Sequence, residues 1–311
     1  MLVTRGARPA ALPPVALTIG NFDGVHKGHQ AILERVVREA EARSLVSCVL
    51  TFEPHPREFF APQSAPTRLT SLREKLELLA ARGIARVHAQ RFSRAFAAMP
   101  AEAFIEQVVH RTLRARWILI GDDFRFGARR AGDLAMLAAM GSRYGYEIES
   151  VHTVEHAGSR VSSSSVREAL WAGDLARAEA LLGRPYSISG RVVHGNKLGR
   201  ELGFATANIQ LQHNRPPLMG IYAVRVHGAD ARVRDAVASL GVRPTIKSGG
   251  KALLEVHLFD FDGELYRRHL RVEFLHKIRD EEKYSDLEAL RAQIARDCEA
   301  ARRFLTAYRN G

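Results

Sequence analysis

Cysteine is scarce in this sequence, and long hydrophobic runs are missing from it. The 311 residues include two cysteines, Cys48 and Cys298, which lie far apart in the chain. This usage argues against a disulfide framework and favours the reducing cytoplasm. No run of about 20 apolar residues occurs, so we expect no membrane-spanning helix. The two prolines directly before Val15 lead us to expect no cleaved signal peptide.

Negative charge is also in the minority. The 46 lysines and arginines outnumber the 34 aspartates and glutamates, which gives a formal net charge of +12. A basic chain suits nucleic acid or phosphorylated small molecules as partners, and a compositional preference for arginine produces the same excess. The arginines are scattered, and no basic cluster is interleaved with aromatic residues. We therefore expect small-molecule substrates rather than nucleic acid.

Strand-like and helix-like segments alternate from residue 15 to about residue 155. Strands are predicted at 15–20, 46–52, 86–92, 117–121 and 147–154, and helices at about 28–43, 71–82, 101–114 and 133–143. This alternation predicts an α/β doubly wound parallel sheet with helices on both faces. Because ligands of such sheets bind beyond the carboxyl ends of the strands, functional motifs should directly follow strands.

The pattern changes near Gly183 and Pro185, which end a helical stretch. Short alternating strands are then predicted at 188–194, 221–228, 235–240, 253–260 and 267–275, followed by one or two helices between 287 and 308. We therefore predict two domains, 1–184 and 185–311. The second is expected to be a small antiparallel β-barrel with a terminal helix, although a β-sandwich would have the same succession of short strands.

A stretch from Gly20 to His29, GNFDGVHKGH, joins the first predicted strand to the first predicted helix. Its glycines at 20, 24 and 28 permit a tight turn and a close approach to a ligand. The helix start offers unpaired N–H groups to an anion, and His26 and His29 add side-chain donors. The stretch predicts a site that stabilises a phosphate under attack. A glycine-rich turn with two surface histidines is the alternative.

A run of serines precedes the last predicted helices of the first domain. Ser162 and Ser163 are helix N-caps by default, but four consecutive serines exceed the needs of one cap. With Arg160 and Arg167 alongside, the segment can offer hydroxyls, helix N–H groups and two guanidinium groups to a polyphosphate.

Two further loops follow predicted strands. Pro54 and Pro56 stiffen the loop after the second strand, and a rigid turn explains them equally well. After the fourth strand, Asp123 can hold a charged group and Phe124 can stack a ring, although Phe124 can equally anchor its loop.

The second domain carries a glycine-rich loop followed by two oxygen-bearing side chains. The loop can cradle a phosphate through backbone N–H groups. The residues that we predict to bind the phosphate are Gly195, Lys197, Gly199 and Gly203. Thr206 and Asn208 follow on an extended segment, where residues two apart share a face, and their oxygens suit Mg²⁺. Taken alone, this stretch is a polar turn.

These motifs together resemble one known family. GNFDGVHKGH is similar to the signature of the HxGH nucleotidyltransferases, and in particular to the FMN adenylyltransferase module of bacterial bifunctional riboflavin kinase/FAD synthetase. TFEPHP, DDFRFG and VSSSSVR resemble further segments of that module. GRELGFATANI resembles the riboflavin kinase motif GRxLGxPTANI. The resemblance covers nearly the whole chain and implies a Rossmann-like nucleotidyltransferase domain followed by a kinase barrel.

The resemblance implies two reactions, with Mg²⁺ as cofactor, ATP, riboflavin and FMN as substrates, and FAD as product. In the kinase step Glu255 would be the base, Thr206 and Asn208 would hold Mg²⁺ and nucleotide, and Arg279 would lie beside the flavin. Taken without the resemblance, Glu255 is an exposed strand residue paired with an arginine. In the adenylyl transfer His26 and His29 would contact the phosphates of ATP. The supporting residues implied are Gly20, Phe22, Gly24, Gly28, Arg160, Ser162, Ser163 and Arg167 for ATP, and Pro54, Pro56, Asp123 and Phe124 for the flavin.

The chain departs from the family pattern at a few positions, and two rival functions stay open. Ala205 stands where the kinase motif has proline, Asp123 and Arg243 stand where asparagine is usual, and Arg267 stands where glycine is usual. One rival is an HxGH adenylyltransferase for another phosphorylated cofactor precursor. The other is a basic nucleic-acid-binding protein.

Overall fold

The computed structural model describes residues 1–6, 12–151, 155–156, 159–195, 203–211, 215–242 and 252–310, with backbone alone at 155–156, 159–160 and 242. The chain divides into two compact units. The first comprises Met1–Pro66 and Leu72–Ser162, and the second comprises Thr67–Ser71 and Ser163–Gly311. None of the helices in the described stretches is long and apolar enough to cross a membrane.

A six-stranded parallel sheet forms the centre of the first unit. Its strands are β1 (Leu2–Thr4), β2 (Val15–Ile19), β3 (Val46–Glu53), β4 (Arg86–Arg91), β5 (Ala115–Gly121) and β6 (Glu147–Val151). They lie in the order β1-β4-β3-β2-β5-β6, which confirms the predicted doubly wound sheet. Every residue of β2 is buried, as expected for a strand that is covered on both faces. A two-stranded ribbon, β7 (Glu155–His156) with β8 (Ser159–Arg160), follows the sheet.

Helices connect these strands. They are α1 (Lys27–Ala42), α2 (Pro56–Phe60), α3 (Leu72–Ala81), α4 (Arg94–Ala97), α5 (Ala101–Phe104) and α6 (Leu134–Tyr144), with a 3₁₀ turn at Ala128–Arg130. The single α-helix predicted over 101–114 is wrong in part, because α5 continues as a π-helix over Ile105–Thr112. The α-helical and the π-helical part bury their apolar residues in the same cluster. The hydrophobic pattern alone therefore did not distinguish a π-helix from an α-helix.

The core of the first unit has two layers, one on each face of the sheet. Leu17 of β2 packs with residues of the π-helix and α6, and Ala16 packs with residues of α1 and α3. The chain runs from β2 outward through β3 and β4 and then returns to β5 on the other side of β2. Ligands of doubly wound sheets bind where the strand order reverses, which here is the crevice beyond the carboxyl ends of β2 and β5.

A closed antiparallel barrel forms the centre of the second unit. Helices α7 (Ser163–Trp171) and α8 (Leu175–Leu182) precede it, and its strands are β9 (Tyr186–Val193), β10 (Ala207–Gln210), β11 (Gly220–His227), β12 (Arg234–Val242), β13 (Ala252–Leu258) and β14 (His269–Arg279). The strand order β10-β13-β12-β11-β14-β9 confirms the predicted barrel. Strand β10 was not predicted, and one continuous helix, α9 (Leu287–Asn310), ends the chain.

The outer face of the barrel is covered in part by α9. Val237 of β12 lies in one apolar cluster with Ala301 and Leu305 of α9. Because side chains alternate along a strand, Ser239 shares the outer face with Val237. Leu254 and Val256 are fully buried on either side of Glu255, so Glu255 also points outward. Glu255, the predicted base, therefore lies on the outer surface of the barrel rather than in its interior.

Candidate active sites

The first site is a helix start that carries two stacked imidazoles. His26 is the N-cap of α1, and its Nδ1 accepts a hydrogen bond from the backbone N–H of His29 at 3.3 Å. The two rings stack with centroids 3.7 Å apart, and the ring of Phe22 lies 4.9 Å from that of His29. The structure thus brings together three residues that the sequence predicted for one site. They lie beyond the carboxyl end of β2, beside the crevice.

The turn between β2 and α1 is built from unusual backbone conformations. Phe22, Gly24 and Val25 have φ values of 49°, 81° and 43°, all in the left-handed region. Glycine adopts this region freely, whereas a β-branched residue such as valine does so rarely. The side chains of Phe22 and Val25 are almost fully buried, so tertiary packing holds the turn in this shape.

Gly28 allows the two histidines to fold back onto the helix start. A Cβ at this position would lie 3.2 Å from Nδ1 of His26 and 3.4 Å from the carbonyl oxygen of Val161. A Cβ on Gly20 would lie 3.0 Å from the ring of Phe22. Close packing around the aromatic rings therefore explains two of the three glycines of the motif, Gly20 and Gly28.

His29 is a neutral imidazole in this environment. Burial, reinforced by the positive charge of the nearby Lys75, holds the pKa of His29 well below its ordinary value. Its Nδ1 is buried and has no hydrogen-bond partner among the described residues. The Nδ1 of His26 is also unprotonated, because it accepts the capping hydrogen bond. The pair can therefore donate hydrogen bonds to an oxyanion without carrying a net charge.

An aromatic surface begins at the carboxyl end of β3. Pro54 follows Glu53 through a cis peptide bond, and Pro56 is the first residue of α2, which His55 caps. The ring of Phe60 on α2, which is 67% exposed, lies 5.6 Å from that of Phe92. Edge contacts continue from there through a chain of rings that comprises Phe59, Phe52, Phe96 and Phe104.

The loop after β5 continues this chain of rings. Phe124 stacks on Phe126 with centroids 5.6 Å apart, and Phe126 contacts Phe104. Asp123 is exposed, and its Oδ1 would lie 3.2 Å from a Cβ on Gly121. The structure thus connects the two loops predicted to bind the flavin, 54–56 and 123–124, by phenylalanine rings that the sequence analysis had not assigned. The adjacent phenylalanines Phe59 and Phe60, three residues after Pro56, were the available signal.

The predicted serine and arginine residues divide between the two units. Ser162 is the last residue of the first unit and is partly buried, and Ser163 is the first residue of α7 in the second unit. The Nε of Arg167 donates a hydrogen bond to the carbonyl of Thr67 within the second unit. The side chain of Arg160 lies outside the described residues. The pyrophosphate-binding role of these residues stays a prediction.

The second site lies across three strands of the barrel. Asn208 on β10 stands directly opposite Glu255 on β13, and Glu255 stands opposite Ser239 on β12. Directly opposed residues of antiparallel strands have Cβ atoms about 4.5–5.5 Å apart and share a face. Asn208 is buried, and its Oδ1 has no hydrogen-bond partner in the described part of the chain. A Cβ on Gly195 would lie 2.3 Å from its Nδ2, so glycine is required beside the amide.

The remaining residues predicted for the kinase loop are placed unevenly. Thr206 is exposed and directly precedes β10, and Gly203 is exposed with a φ of 89°. Lys197 and Gly199 lie outside the described residues, as does Arg243. The Nδ1 of His257 hydrogen-bonds the carbonyl of Ala205 at 2.9 Å, which ties the segment before Thr206 to β13. Glu255 and His257 are two apart on one strand, and this spacing was the signal available for His257.

Arg279 is engaged by the terminal helix. Its Nε and Nη2 donate to the two carboxylate oxygens of Asp297 at 2.8 and 2.6 Å, and Gln293 donates to the same carboxylate. This bidentate pair joins the end of β14 to α9. Two residues further along, Glu281 accepts a hydrogen bond from Ser239 at 3.2 Å, so a second carboxylate approaches the row that contains Glu255. The flavin contact of Arg279 stays a prediction.

Comparison with known proteins identifies both halves of the chain. A family model described as FAD synthetase matches residues 8–165, and one described as riboflavin kinase matches residues 182–305. The bifunctional riboflavin kinase/FMN adenylyltransferase of Escherichia coli K12 is 49% identical over 288 residues, which cover 93% of this chain and 92% of that protein. The protein of the same description from Haemophilus influenzae is 45% identical over 306 residues, or 98% and 99% of the two chains.

A solved structure shares the fold over the full length. The crystal structure described as the macrolide-efflux protein of Streptococcus pneumoniae has a TM-score of 0.81 and 29% identity, and the match covers 97% of this chain and 99% of that one. The relatives and the family models agree on the same two modules in the same order. This chain belongs to the family of bifunctional riboflavin kinase/FMN adenylyltransferases.

Proposed function

We propose that this protein makes FAD from riboflavin in two steps, at two separate sites. The observation that carries the proposal is the presence of two different phosphate-handling arrangements in one chain. One is the paired imidazoles at the start of α1, and the other is the row of Asn208, Glu255 and Ser239 on the barrel. The relatives that cover more than nine-tenths of the chain bear both activities in their description, and neither rival function is favoured by them.

The barrel performs the kinase step. A ribityl hydroxyl of riboflavin attacks the γ-phosphorus of ATP, the bond from this phosphorus to the β-phosphate oxygen breaks, and ADP leaves. Glu255 accepts the hydroxyl proton, since it faces outward beside Asn208, where the nucleotide is held.

Mg²⁺ suits the oxygen atoms available in this second site. The Oδ1 of Asn208 is a buried oxygen without a hydrogen-bond partner among the described residues, and such an oxygen is a good ligand for a hard cation. Asn208 and Thr206 would hold the ion. When bound, Mg²⁺ neutralises charge on the nucleotide phosphates.

The helix start in the first unit performs the adenylyl transfer. A phosphate oxygen of FMN attacks the α-phosphorus of a second ATP, the bond to the β-phosphate breaks, and pyrophosphate leaves. His26 and His29 donate hydrogen bonds to the oxygens around the reacting α-phosphorus, together with the N–H groups at the start of α1. The exposed ring of Phe60 and the stacked ring of Phe124 offer an apolar surface for the flavin rings.

The test is a product analysis with the complete chain. Incubation with riboflavin, ATP and Mg²⁺, followed by chromatography, should yield FMN and then FAD, and FMN with ATP alone should yield FAD and pyrophosphate. Omission of Mg²⁺ serves as the control. Adenylylation of nicotinamide mononucleotide or phosphopantetheine in place of FMN would support the first rival function. A salt-sensitive gel shift without ATP turnover would support the second.

The location proposed with this function is the cytoplasm. Cys48 and Cys298 are buried free thiols, and a reducing compartment keeps them so. Cell fractionation with an antibody against the protein tests this location, and recovery with periplasmic or membrane material would contradict it.

A further inference from the structure

The two histidines of the first site do not supply positive charge. His26 accepts a hydrogen bond through Nδ1, which a proton on that atom would remove, and the pKa of His29 lies well below its ordinary value because of burial first and its neighbours second. At neutral pH both rings are therefore dipolar donors. ATP and pyrophosphate carry several negative charges, so a fixed cation near the helix start would greatly strengthen their binding.

Lys75 of α3 is a buried cation beside this site. It is only 4% exposed, and its Nζ donates to the hydroxyl of Thr51 at 3.4 Å. Thr51, at the carboxyl end of β3, in turn donates to the carbonyl of Asn21 at 3.2 Å, within the GNFDG turn. The ammonium group therefore lies under the turn that leads to His26. Its charge also reaches His29, where it contributes to the low pKa.

The position of this lysine is unusual for a helix. Lysines on helices normally extend their ammonium groups into water, whereas this side chain is buried next to the turn. Arg73, two residues earlier on the same helix, behaves in the ordinary way, with a 61% exposed side chain paired to Glu77. The sequence LREKLELL contains no signal that separates Lys75 from such surface residues.

We infer that Lys75 is a catalytic residue of the adenylyl transfer, which contacts the phosphates of ATP and supplies the fixed positive charge that the neutral histidines lack. This inference rests on the function proposed for the first site. Lysine suits the role as a compact point charge, and a charge placed in advance costs no reorganisation when the pyrophosphate leaves. The opposite interpretation is that Lys75 only supports the turn through Thr51.

Charge and hydrogen bonding can be separated by substitution. Lys75→Met removes both, Lys75→Gln removes the charge but keeps a donor for Thr51, and Lys75→Arg keeps the charge. Thr51→Val removes the link to the turn but leaves the ammonium in place. Arg73→Met is the matched control, since it removes one cation from the same helix at an exposed position.

The measurements are kcat and KM for ATP in FAD formation from supplied FMN, and the Kd of pyrophosphate by calorimetry. We expect Lys75→Met and Lys75→Gln to lower kcat/KM for ATP about 100-fold and to weaken pyrophosphate binding, with Lys75→Arg within about tenfold of the native enzyme. Thr51→Val and Arg73→Met should retain most of the activity. FMN formation from riboflavin, measured in the same preparations, should be unchanged.

Three results would overturn the inference. They are a Lys75→Gln variant with native kcat/KM and pyrophosphate affinity, a Thr51→Val variant as impaired as Lys75→Met, and a Lys75→Arg variant as impaired as Lys75→Gln. If Lys75→Met fails to fold by circular dichroism, the glutamine and arginine variants decide the question between them. Failure of the native chain to make FAD from FMN and ATP would instead contradict the proposed function itself, so the two failures are distinguishable.

Discussion

The two sites differ in how the chain builds them. The first is formed largely by one contiguous stretch, in which β2 ends, the backbone turns through left-handed conformations and α1 begins with its two histidines. The second is formed by residues on β10, β13 and β12, which are far apart in sequence and meet only because the barrel closes. A site of the first kind carries its geometry in local spacing, whereas a site of the second kind depends on strand register.

The largest expected effect tests whether the two sites are independent. His29→Ala should lower FAD formation from FMN about 100- to 1,000-fold, because one donor to the phosphorus centre is lost, and it should leave FMN formation unchanged. Glu255→Gln should abolish FMN formation, because the proton acceptor is lost, and it should leave FAD formation from supplied FMN unchanged. Both products are quantified by chromatography for each variant.

Circular dichroism spectra of the two variants control for folding. Equal loss of both activities in either variant would show that the sites are not separate. A native rate of FAD formation in His29→Ala would show that the stacked imidazoles have no part in the transfer.

The same contrast explains what the sequence could predict. The strand, turn and helix around His26 and His29 could be predicted from apolar runs, glycines and capping residues. The parallel sheet could be predicted from alternating strands and helices, and the barrel from successive short strands. Strand β10 was missed because its four residues, ANIQ, include small and polar residues that have little preference for strands. Lys75 and the partner of Arg279 were missed because burial and long-range pairing leave no local pattern.

The next effect concerns the long-range support of the second site. Asp297→Ala removes the carboxylate that holds Arg279 and should lower the free energy of unfolding by about 2 kcal/mol, since the half-buried guanidinium loses two charge-assisted hydrogen bonds. FMN formation should fall with it, because the segment that carries Glu281 follows Arg279 directly. FAD formation from supplied FMN should be unaffected. Urea unfolding and the two product assays measure these effects.

A double variant controls for the buried charge. Arg279→Met combined with Asp297→Leu removes both charges and should recover much of the lost stability, because similar apolar volume replaces the pair. Stability of the double variant as low as that of Asp297→Ala would show that the effect came from packing rather than from an unpaired arginine.

A smaller effect is expected when one glycine from each site is replaced by alanine and the losses of activity are compared. Gly195→Ala would bring a methyl group within 2.3–2.6 Å of the Asn208 amide, so the amide must move, and FMN formation should fall about 100-fold. Gly28→Ala would meet His26 and Val161 at 3.2–3.4 Å, which requires a shift of a few tenths of an ångström, and FAD formation should fall no more than about tenfold. Each variant serves as the control for the other site, and the reverse ranking would contradict the packing described for Asn208.

The smallest effect is an acid sensitivity specific to the first site. His29 stays neutral in the folded protein well below its ordinary pKa, whereas the unfolded chain protonates it near pH 6.5. As the pH falls through 6.5, the unfolded state binds more protons, so the free energy of unfolding decreases, and above that pH the contribution is fully present. His29→Asn removes this term and should lose less stability between pH 7.5 and pH 5.5. The low pKa of His88 acts in the same direction in both proteins and cancels in the comparison.

Urea unfolding followed by the fluorescence of the buried Trp117, in a Trp171→Phe background, reports on the first unit. Equal losses of stability in the two proteins would mean that His29 titrates normally. The histidine pair would then carry positive charge below about pH 6.5.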